Sequence, residues 1–369
     1  MPSSSYPTRR LGLDDGPLVS AIGLGAMGLG GLQYGSADEE SVLNMLTSAA
    51  DSGVTFWDTA DAYGDSEATI GKWFRKFGRR SEIFLSTKFG GKDFTENAEN
   101  PYRPNSQPSH VKARIASSLA LLSFPDPEKK EQSKSYIDLY FQHRVDPDTP
   151  IEVVLETLRP FIEAGQIRYV GLSDCGIEML RRAKAVPGVG EKVVAVQVEF
   201  SPFEREAETS GFVEEARTLG VTIVPYSPLG RGMISGNYKS RADFEATDIR
   251  LNFMPRFSEA NFATNLKLVD QFKAVAQQYA ATPAQIALAW ILRAYPDFVP
   301  IPGTRSAQRV KENAEAALIK LSDEDFGSID LMVRSAEVKG AKIAPQFESA
   351  TSCIAMAEWK GETQRTKKA

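Results

Sequence analysis

The sequence predicts an α/β chain folded as a (β/α)8 TIM barrel. Three observations support this: eight short apolar runs, a helical segment after each of them, and no Pro/Gly/Ser-rich linker that divides the chain. The predicted strands are residues 22–24, 54–58, 83–88, 136–143, 167–172, 193–197, 221–226 and 298–302. Their β-branched, apolar character is typical of strands buried on both faces of a parallel sheet. Eight repeats in roughly 300 residues favour a closed barrel over a doubly wound sheet.

Amphipathic or alanine-rich segments between these runs predict the helices. They are residues 39–52, 66–77, 108–122, 150–164, 178–185, 206–219, 282–293 and 306–317. Several begin with a cap residue followed by proline or an acidic residue, as in Ser36-Ala37-Asp38-Glu39 and Thr282-Pro283-Ala284-Gln285. Such residues satisfy the free N–H groups of a first helical turn. An extra helix is predicted near residues 265–279.

Three long segments interrupt the regular alternation. Residues 89–107 form a polar loop after the third strand, residues 124–134 form an insertion before the fourth, and residues 229–262 form a loop after the seventh. Loops that follow barrel strands lie at the catalytic face, so the first and the last are expected to shape a substrate pocket. We expect one domain over residues 1–369, with a core of about residues 11–321. The tail after Ala336 is predicted to be irregular, and its basic stretch 365–368 to be a solvated end.

Composition excludes several classes of protein. The chain carries 43 basic and 48 acidic residues, a net charge of −5, whereas nucleic-acid binders more often have a basic excess. No apolar run is long enough for a membrane span, and the N-terminus lacks a signal-peptide pattern. Two cysteines and two histidines are too few for a disulfide framework or for a Cys-rich or multi-histidine metal site. The expectation is a cytoplasmic protein without metal, nucleic-acid or membrane partners, whose oligomeric state the sequence leaves undetermined.

A glycine motif after the first strand has two interpretations. Gly23-Leu-Gly25-Ala-Met-Gly28 matches G-x-G-x-x-G, which in a Rossmann fold opens a helix onto a pyrophosphate. Here glycines continue at positions 30, 31 and 35, and glycine opposes helix formation. The pattern therefore favours a loop after the first strand over a Rossmann site.

Chemically active side chains follow three consecutive predicted strands. Asp58 and Tyr63 leave the second strand, Lys88 ends the third, and His143 ends the fourth. The carboxyl ends of barrel strands meet at one face, so these side chains are expected in one pocket. Each alone is more typical of a turn residue, a solvated lysine or a buried core histidine. Four compatible groups at successive strand ends favour catalysis.

This combination suits the reduction of a carbonyl group, which requires a proton donor at the oxygen. A free tyrosine has a pKa of about 10, and a nearby ammonium group favours the phenolate. The expected roles are Tyr63 as the acid, Lys88 as the neighbouring charge and Asp58 as the support of Lys88. A neutral His143 is expected to orient the carbonyl by a hydrogen bond.

At these positions the chain resembles the aldo-keto reductase superfamily, over about residues 11–321. The motifs are F-W-D-T-A-D-A-Y-G-D-S-E (56–67), S-T-K (86–88), L-Y-F-Q-H-R-V-D-P (139–147), G-L-S (171–173), V-Q-V-E-F-S-P-F (196–203), P-Y-S-P-L-G-R-G (225–232) and I-P-G-T-R-S-A-Q-R-V-K-E-N (301–313). The resemblance implies a catalytic tetrad of Asp58, Tyr63, Lys88 and His143. It also implies NADPH bound in an extended form across the barrel mouth. The motif style looks like the branch with microbial pyridoxal reductases and aryl-alcohol dehydrogenases.

The resemblance also implies cofactor contacts, residue by residue. Those implied are Ser173, Asp174 and Gln197 for the nicotinamide carboxamide, Tyr226 for the nicotinamide ring, Ser227, Leu229, Gly230 and Arg231 for the pyrophosphate, and Thr304, Arg305, Arg309, Glu312 and Asn313 for the 2′-phosphate and adenine. Two positions depart from the family pattern. Position 174 is Asp where many members carry Asn, and an ionised Asp accepts but does not donate a hydrogen bond. Position 303 is Gly where some members carry a phosphate-binding Lys, so Arg305 or Arg309 must supply that charge.

Three functions remain open at this point. The first is an enzyme that reduces a small-molecule aldehyde or ketone with NADPH. The second is an NADPH-binding regulatory subunit on the same fold, like the potassium-channel β subunits. The third is a barrel enzyme of unrelated chemistry, such as a metal-dependent lyase, which two histidines and the lack of clustered acids at strand ends disfavour. The substrate depends on the loops 89–107 and 229–262, and loops vary freely on this fold.

Overall fold

A computed structural model describes residues 6–13, 15–31, 38–126, 133–245 and 248–366 of the chain. The strands are β1 (Thr8–Arg10), β2 (Leu18–Ser20), β3 (Leu24–Gly25), β4 (Phe56–Asp58), β5 (Phe84–Phe89), β6 (Phe124–Pro125), β7 (Ser133–Lys134), β8 (Ile137–Gln142), β9 (Ile167–Ser173), β10 (Val193–Glu199) and β11 (Thr222–Tyr226). Seven of them form a parallel sheet in the order β11-β10-β9-β8-β5-β4-β3. This sheet curves into the predicted barrel.

The helices pack around the outside of this sheet. They are α1 (Glu39–Asp51), α2 (Ser66–Phe77), α3 (Pro108–Leu121), α4 (Ile151–Glu163), α5 (Ile177–Lys184), α6 (Glu206–Thr209), α7 (Phe212–Thr218), α8 (Ile249–Phe253), α9 (Glu259–Gln278), α10 (Pro283–Ala294), α11 (Ala307–Glu315) and α12 (Asp323–Ser335). Within the described ranges, no helix is both long enough and apolar enough to cross a bilayer.

The eighth predicted strand, residues 298–302, closes the barrel without regular strand pairing. The N–H groups of Val299 and Ile301 donate to carbonyls of β11 at 3.1 and 3.0 Å. On the other side, the carbonyls of Pro300 and Pro302 accept bonds from the chain at β3, at 2.9 and 3.1 Å. Proline has no N–H, so the reciprocal bonds toward β3 cannot form. The segment therefore closes the barrel with half of the usual hydrogen bonds on that side.

A hairpin that the sequence analysis missed covers the N-terminal ends of the strands. β1 and β2 pair antiparallel, and Leu11 and Val19 pack into the barrel interior. The Ser20 hydroxyl accepts the N–H of Phe56 at 3.1 Å, and the N–H of Gly12 donates to the Thr222 hydroxyl at 2.9 Å. Since β4 and β11 begin at these residues, the hairpin closes one end of the barrel. The opposite end of the barrel is therefore the end that is open to a ligand.

Most predicted helices match the structure, and side-chain caps explain the starts of α1 and α10. The Asp38 side chain accepts the N–H of Ser41 at 2.8 Å at the start of α1, whereas Ser36 and Ala37 lie outside the described residues. Thr282 caps α10 as predicted, and with Gln285 it forms a capping box. One helix prediction was wrong: residues 206–219 form two short helices, because Gly211 adopts a φ of +78° that breaks the helix.

The other differences lie in the second half of the chain. The extra helix predicted at 265–279 is α9, which has 20 residues and begins at Glu259. The predicted loop 229–262 contains a 3-10 turn at Gly230–Ser235 and the helix α8, and residues 246–247 lie outside the described part. The insertion 124–134 carries the small hairpin β6–β7, with residues 127–132 likewise outside it. Helix α12 was not predicted.

The glycine motif forms no α-helix. β3 ends at Gly25, a 3-10 turn covers Met27–Gly30, and Gly31 ends it with a φ of +75°. Gly35, the last of the glycines that follow the motif, lies outside the described residues. A Cβ on Gly30 would lie 1.5 Å from the carbonyl oxygen of Tyr63, so only glycine permits this contact. The loop interpretation is confirmed, and the loop packs against the backbone of a predicted catalytic residue.

The C-terminal tail lies along the loops at the open end of the barrel. The carbonyl of Thr351 accepts the N–H of Gly176, just after β9, at 2.7 Å. Near the end of the tail, the Arg365 guanidinium lies 3.0 Å from the fully buried carboxylate of Asp146. The expectation of a solvated basic end was therefore wrong at Arg365, because the carboxylate that pairs with it lies in the loop after β8. Positions 367–369 lie outside the described residues.

Candidate active site

The four predicted catalytic residues meet at the open end of the barrel. Asp58 is the last residue of β4, Lys88 lies one residue before the end of β5, and His143 directly follows β8. These strands are neighbours in the sheet, in the order β8-β5-β4. Tyr63 lies in the loop between β4 and α2. The parallel arrangement therefore brings together side chains that are 85 positions apart in sequence at the extremes, from Asp58 to His143.

Asp58 and Lys88 form a buried ion pair. The Lys88 Nζ lies 2.5 Å from Asp58 Oδ1 and also donates to the carbonyl of Thr59 at 2.8 Å. The other Asp58 oxygen accepts bonds from Ser86 at 2.7 Å and from Gln197 at 2.5 Å. Burial opposes the charge of Lys88, but the adjacent Asp58 carboxylate and the Tyr63 hydroxyl together raise the pKa of Lys88. Lys88 is a fixed cation.

Tyr63 receives a hydrogen bond from this cation. The Lys88 Nζ lies 3.4 Å from the Tyr63 hydroxyl and 4.8 Å from the centroid of its ring. Tyr63 is only half-buried, whereas Lys88 has 1% exposure. A molecule entering the barrel mouth therefore reaches the phenol but not the ammonium group.

His143 also lies next to Tyr63. The two rings meet edge-on at 5.4 Å and 87°. Burial lowers the pKa of His143 well below 6.5, and the nearby cations of Arg144, Lys88 and Lys92 lower it further. The imidazole is therefore neutral at pH 7. A Cβ on Gly91 would lie 2.7 Å from His143 Nδ1, so the adjoining loop needs glycine at this position.

The residues implied for the nicotinamide lie next to the tetrad. Ser173 and Gln197 are buried on adjacent strands, and the Asp174 N–H donates to the carbonyl of Gln197 at 2.9 Å. The Tyr226 hydroxyl donates to the Asp174 carboxylate at 2.9 Å. Asp174 has a φ of +49°, a left-handed conformation that Asp tolerates better than most residues. The amide nitrogen of Gln197 points to Asp58 and thereby links this cluster to the tetrad.

Sequence reasoning missed Arg144, which lies in this cluster. Its guanidinium is 3.0 Å from the Asp174 carboxylate and donates to the His143 carbonyl at 2.8 Å. It also lies 3.4 Å from the Ser173 hydroxyl. The signal was available, since a basic residue directly follows His143 and an acidic residue replaces the usual amide at 174. The two positions are far apart in sequence, and only the pairing of β8 with β9 brings them together.

Several residues in the loop after β11 adopt left-handed backbone conformations. Ser227, Gly230 and Arg231 have φ values of +51°, +56° and +54°. A Cβ on Gly230 would lie 2.9 Å from the ring of Phe203, which explains the glycine. The Arg231 guanidinium reaches Glu199 at 3.2 Å. Leu229 is half-buried and packs against the hydrophobic core.

The residues implied for the adenosine end lie at the start of α11. Ser306 caps this helix by accepting the N–H of Arg309 at 3.4 Å, and its own N–H donates to the Thr304 hydroxyl at 3.1 Å. Arg305 and Arg309 are both exposed. The remaining two residues are less open: Asn313 is buried, and Glu312 accepts a hydrogen bond from Thr282 at 2.8 Å.

Comparisons with known proteins show similarity over most of the chain. Residues 21–334 match the family model described as the aldo/keto reductase family. The chain is 41% identical to the aldo-keto reductase str7 of Strobilurus tenacellus and 42% identical to the aldo-keto reductase yakc [NADP(+)] of Schizosaccharomyces pombe. Each alignment covers 92% of this chain and 95% of the relative. The probable aldo-keto reductase 1 of Glycine max is 35% identical, with 88% of each chain covered.

A solved structure supports the fold in the same way. The structure of the chain is similar to a crystal structure of the thermostable aldo-keto reductase Tm1743 in complex with the inhibitor epalrestat. The TM-score is 0.67 at 27% identity, with 89% of this chain and 100% of the other covered. The family match and the barrel together define the class of protein, an oxidoreductase on the (β/α)8 fold. The chain belongs to the aldo/keto reductase family, whose members generally use NADP(H) and reduce carbonyl groups.

Proposed function

We propose that the protein reduces an aldehyde or a ketone to the alcohol with NADPH, and that Tyr63 delivers the proton to the carbonyl oxygen. The observation that carries this proposal is the position of Lys88. Its Nζ lies 3.4 Å from the Tyr63 hydroxyl and is held there by Asp58 at 2.5 Å. A buried cation at this distance stabilises the phenolate that remains after proton transfer.

The chain offers groups that suit the cofactor along the same face. Polar side chains at Ser173 and Gln197 suit the carboxamide, and Tyr226 suits the nicotinamide ring. The left-handed turn and the guanidinium of Arg231 suit the pyrophosphate. Exposed Arg305 and Arg309, together with Thr304, Glu312 and Asn313, are assigned to the adenosine 2′-phosphate and adenine. When bound, NADPH supplies the hydride that adds to the carbonyl carbon.

The remaining residues of the tetrad orient the substrate and the acid. His143 is neutral because of its burial, so it can donate a hydrogen bond to a carbonyl oxygen without acting as a strong acid. Asp58 keeps Lys88 charged and in place, and Ser86 and Gln197 hold Asp58. Tyr63 is thus in contact with both the cation and the imidazole.

The decisive test is Tyr63→Phe. Removing a general acid should lower turnover by about 100-fold to about 10,000-fold. The affinity for NADPH, measured by fluorescence titration, should be unchanged, because the assigned phosphate contacts lie elsewhere. Tyr169→Phe is the matched control, since Tyr169 packs against Phe84 within the barrel. Near-normal turnover in Tyr63→Phe would remove this residue from the mechanism.

The substrate class requires a panel of carbonyl compounds. NADPH consumption should be measured with aromatic aldehydes, pyridoxal, aliphatic aldehydes and sugar-derived ketones. Tight NADPH binding without turnover on any of them would instead favour the NADPH-binding regulatory subunit.

A further inference from the structure

A carboxylate lies where the nicotinamide is expected, and one arginine neutralises it. Asp174 accepts the Tyr226 hydroxyl at 2.9 Å and pairs with Arg144 at 3.0 Å. The side chains of Arg144 and Asp174 are 27% and 19% exposed, so the pair is largely withdrawn from water. Burial opposes the charge on Arg144, but Asp174, together with Tyr226, Tyr63 and Glu199, raises the pKa of the guanidinium. Tyr226 stays a neutral donor, because burial raises the pKa of its phenol well above 10.

The charge at this position matters because the two forms of the cofactor differ in charge at the ring. The nicotinamide of NADP+ is positive, whereas that of NADPH is neutral. An uncompensated carboxylate beside the ring therefore favours the oxidised form by Coulomb attraction. An asparagine at position 174 would exert no such preference, and neither does an aspartate that is paired with a cation.

We propose that Arg144 is a positioning residue that neutralises Asp174 and thereby sets the relative affinity of the site for NADPH and NADP+. The inference rests on the proposed function, since it requires the nicotinamide to bind beside Ser173 and Gln197. Arg144 also fixes the geometry of the cluster. It bonds to the carbonyl of His143 at 2.8 Å and lies 3.4 Å from the Ser173 hydroxyl, so one guanidinium joins the carboxamide residues to the tetrad.

The test compares the dissociation constants of NADPH and NADP+ in four proteins: the wild type, Arg144→Met, Asp174→Asn and the double variant. Titrations at low ionic strength follow cofactor binding without any turnover. Arg144→Met should shift the ratio of the two constants by about tenfold in favour of NADP+. Asp174→Asn leaves the guanidinium without its ion-pair partner and should shift the ratio in the opposite direction. The double variant should return close to the wild-type ratio.

A purely structural role for Arg144 would not give opposite signs. Arg144→Lys retains the charge but not the fork of donors, so it should keep the ratio even where both affinities fall. If Arg144→Met does not fold, the charge effect is measured between Asp174→Asn and the double variant, where loss of the guanidinium should favour NADP+. Shifts of the same sign in both single variants, or no shift in either comparison, would overturn the inference. A wild-type protein that binds neither form would overturn the proposed function together with it.

Discussion

Replacing Lys88 with methionine removes the charge on which the proposed mechanism depends. The Nζ lies 3.4 Å from the Tyr63 hydroxyl. At this separation, a unit charge and a full phenolate interact by about 5 kcal/mol with an effective dielectric constant of about 20. With half of the negative charge developed in the transition state, the loss is about 2.5 kcal/mol. These limits correspond to a fall in kcat of about 70-fold to about 5,000-fold.

The substitution also leaves Asp58 buried without its partner. The resulting loss of stability must be distinguished from the effect on the rate of the reaction. Breaking a buried pair from one side costs about 3–5 kcal/mol of folding free energy. Asp58→Asn combined with Lys88→Met removes both charges and keeps the hydrogen-bonding shape toward Ser86 and Gln197. The double variant should therefore recover most of the stability but none of the rate.

The assay measures kcat at saturating NADPH, the dissociation constant of NADPH, and urea unfolding of the three proteins at pH 7. The acid–base limb of the pH–rate profile of Lys88→Met should also move upward, since the neighbouring positive charge is lost. A kcat within about fivefold of the wild type, in a folded Lys88→Met protein that binds NADPH, would show that Lys88 is only a structural strand-end residue.

Three further predictions concern other residues. His143 stays neutral when folded, because burial lowers its pKa well below 6.5, while the unfolded chain takes up the proton; the contribution of His143 to stability should therefore become less favourable as the pH drops below about 6.5. Between pH 7 and pH 5, His143→Gln should lose up to about 2 kcal/mol less stability than the wild type in urea titrations; the same pH slope in both proteins would contradict this. Arg309→Ala should weaken NADPH binding by about 1.5–3 kcal/mol and leave NADH unaffected, whereas the same result from Arg305→Ala alone would assign the 2′-phosphate to Arg305. Arg365→Met should lower the free energy of unfolding by about 3 kcal/mol, since it leaves the Asp146 carboxylate buried without a cation; a change below about 1 kcal/mol would mean that the tail contributes little to the fold.

The barrel and the tetrad were predictable because their signals are local. β-branched apolar runs mark buried parallel strands, and the residue that ends such a run necessarily lies at the catalytic face. The positions of Asp58, Lys88 and His143 at this face could therefore be inferred from the strand pattern alone. The hairpin β1–β2 gave no such signal, because each strand has three residues and β1 reads Thr-Arg-Arg. The last strand had the right composition, but its two prolines leave it without regular pairing toward β3.

Contacts between distant segments were not predictable. The Arg365–Asp146 pair joins residues 219 positions apart, and no periodicity in the tail points to its partner. Arg144 stands beside a predicted catalytic histidine, yet its role depends on the carboxylate at the end of the neighbouring strand. Similarly, Gln197 was implied for a cofactor contact, whereas the structure also makes it a support of Asp58. In each case the sequence shows the residue itself but not the residue that it contacts in the fold.

Each of the two departures from the family pattern is accompanied by a contact outside its own motif: an ion pair at position 174 and a close backbone contact at position 303. At position 174, a carboxylate is tolerated beside the expected nicotinamide because Arg144 lies 3.0 Å away. At position 303, a Cβ would lie 3.2 Å from the carbonyl oxygen of Gly25, with which this residue forms the bridge that closes the barrel. A lysine there would push against the closing backbone, so on the proposed assignment the phosphate charge must come from Arg305 or Arg309, at the exposed start of α11. Each departure is thus matched by a contact with a residue outside its own motif. A variant that restores the residue common in the family should therefore be compared with one in which the contacting residue is changed as well.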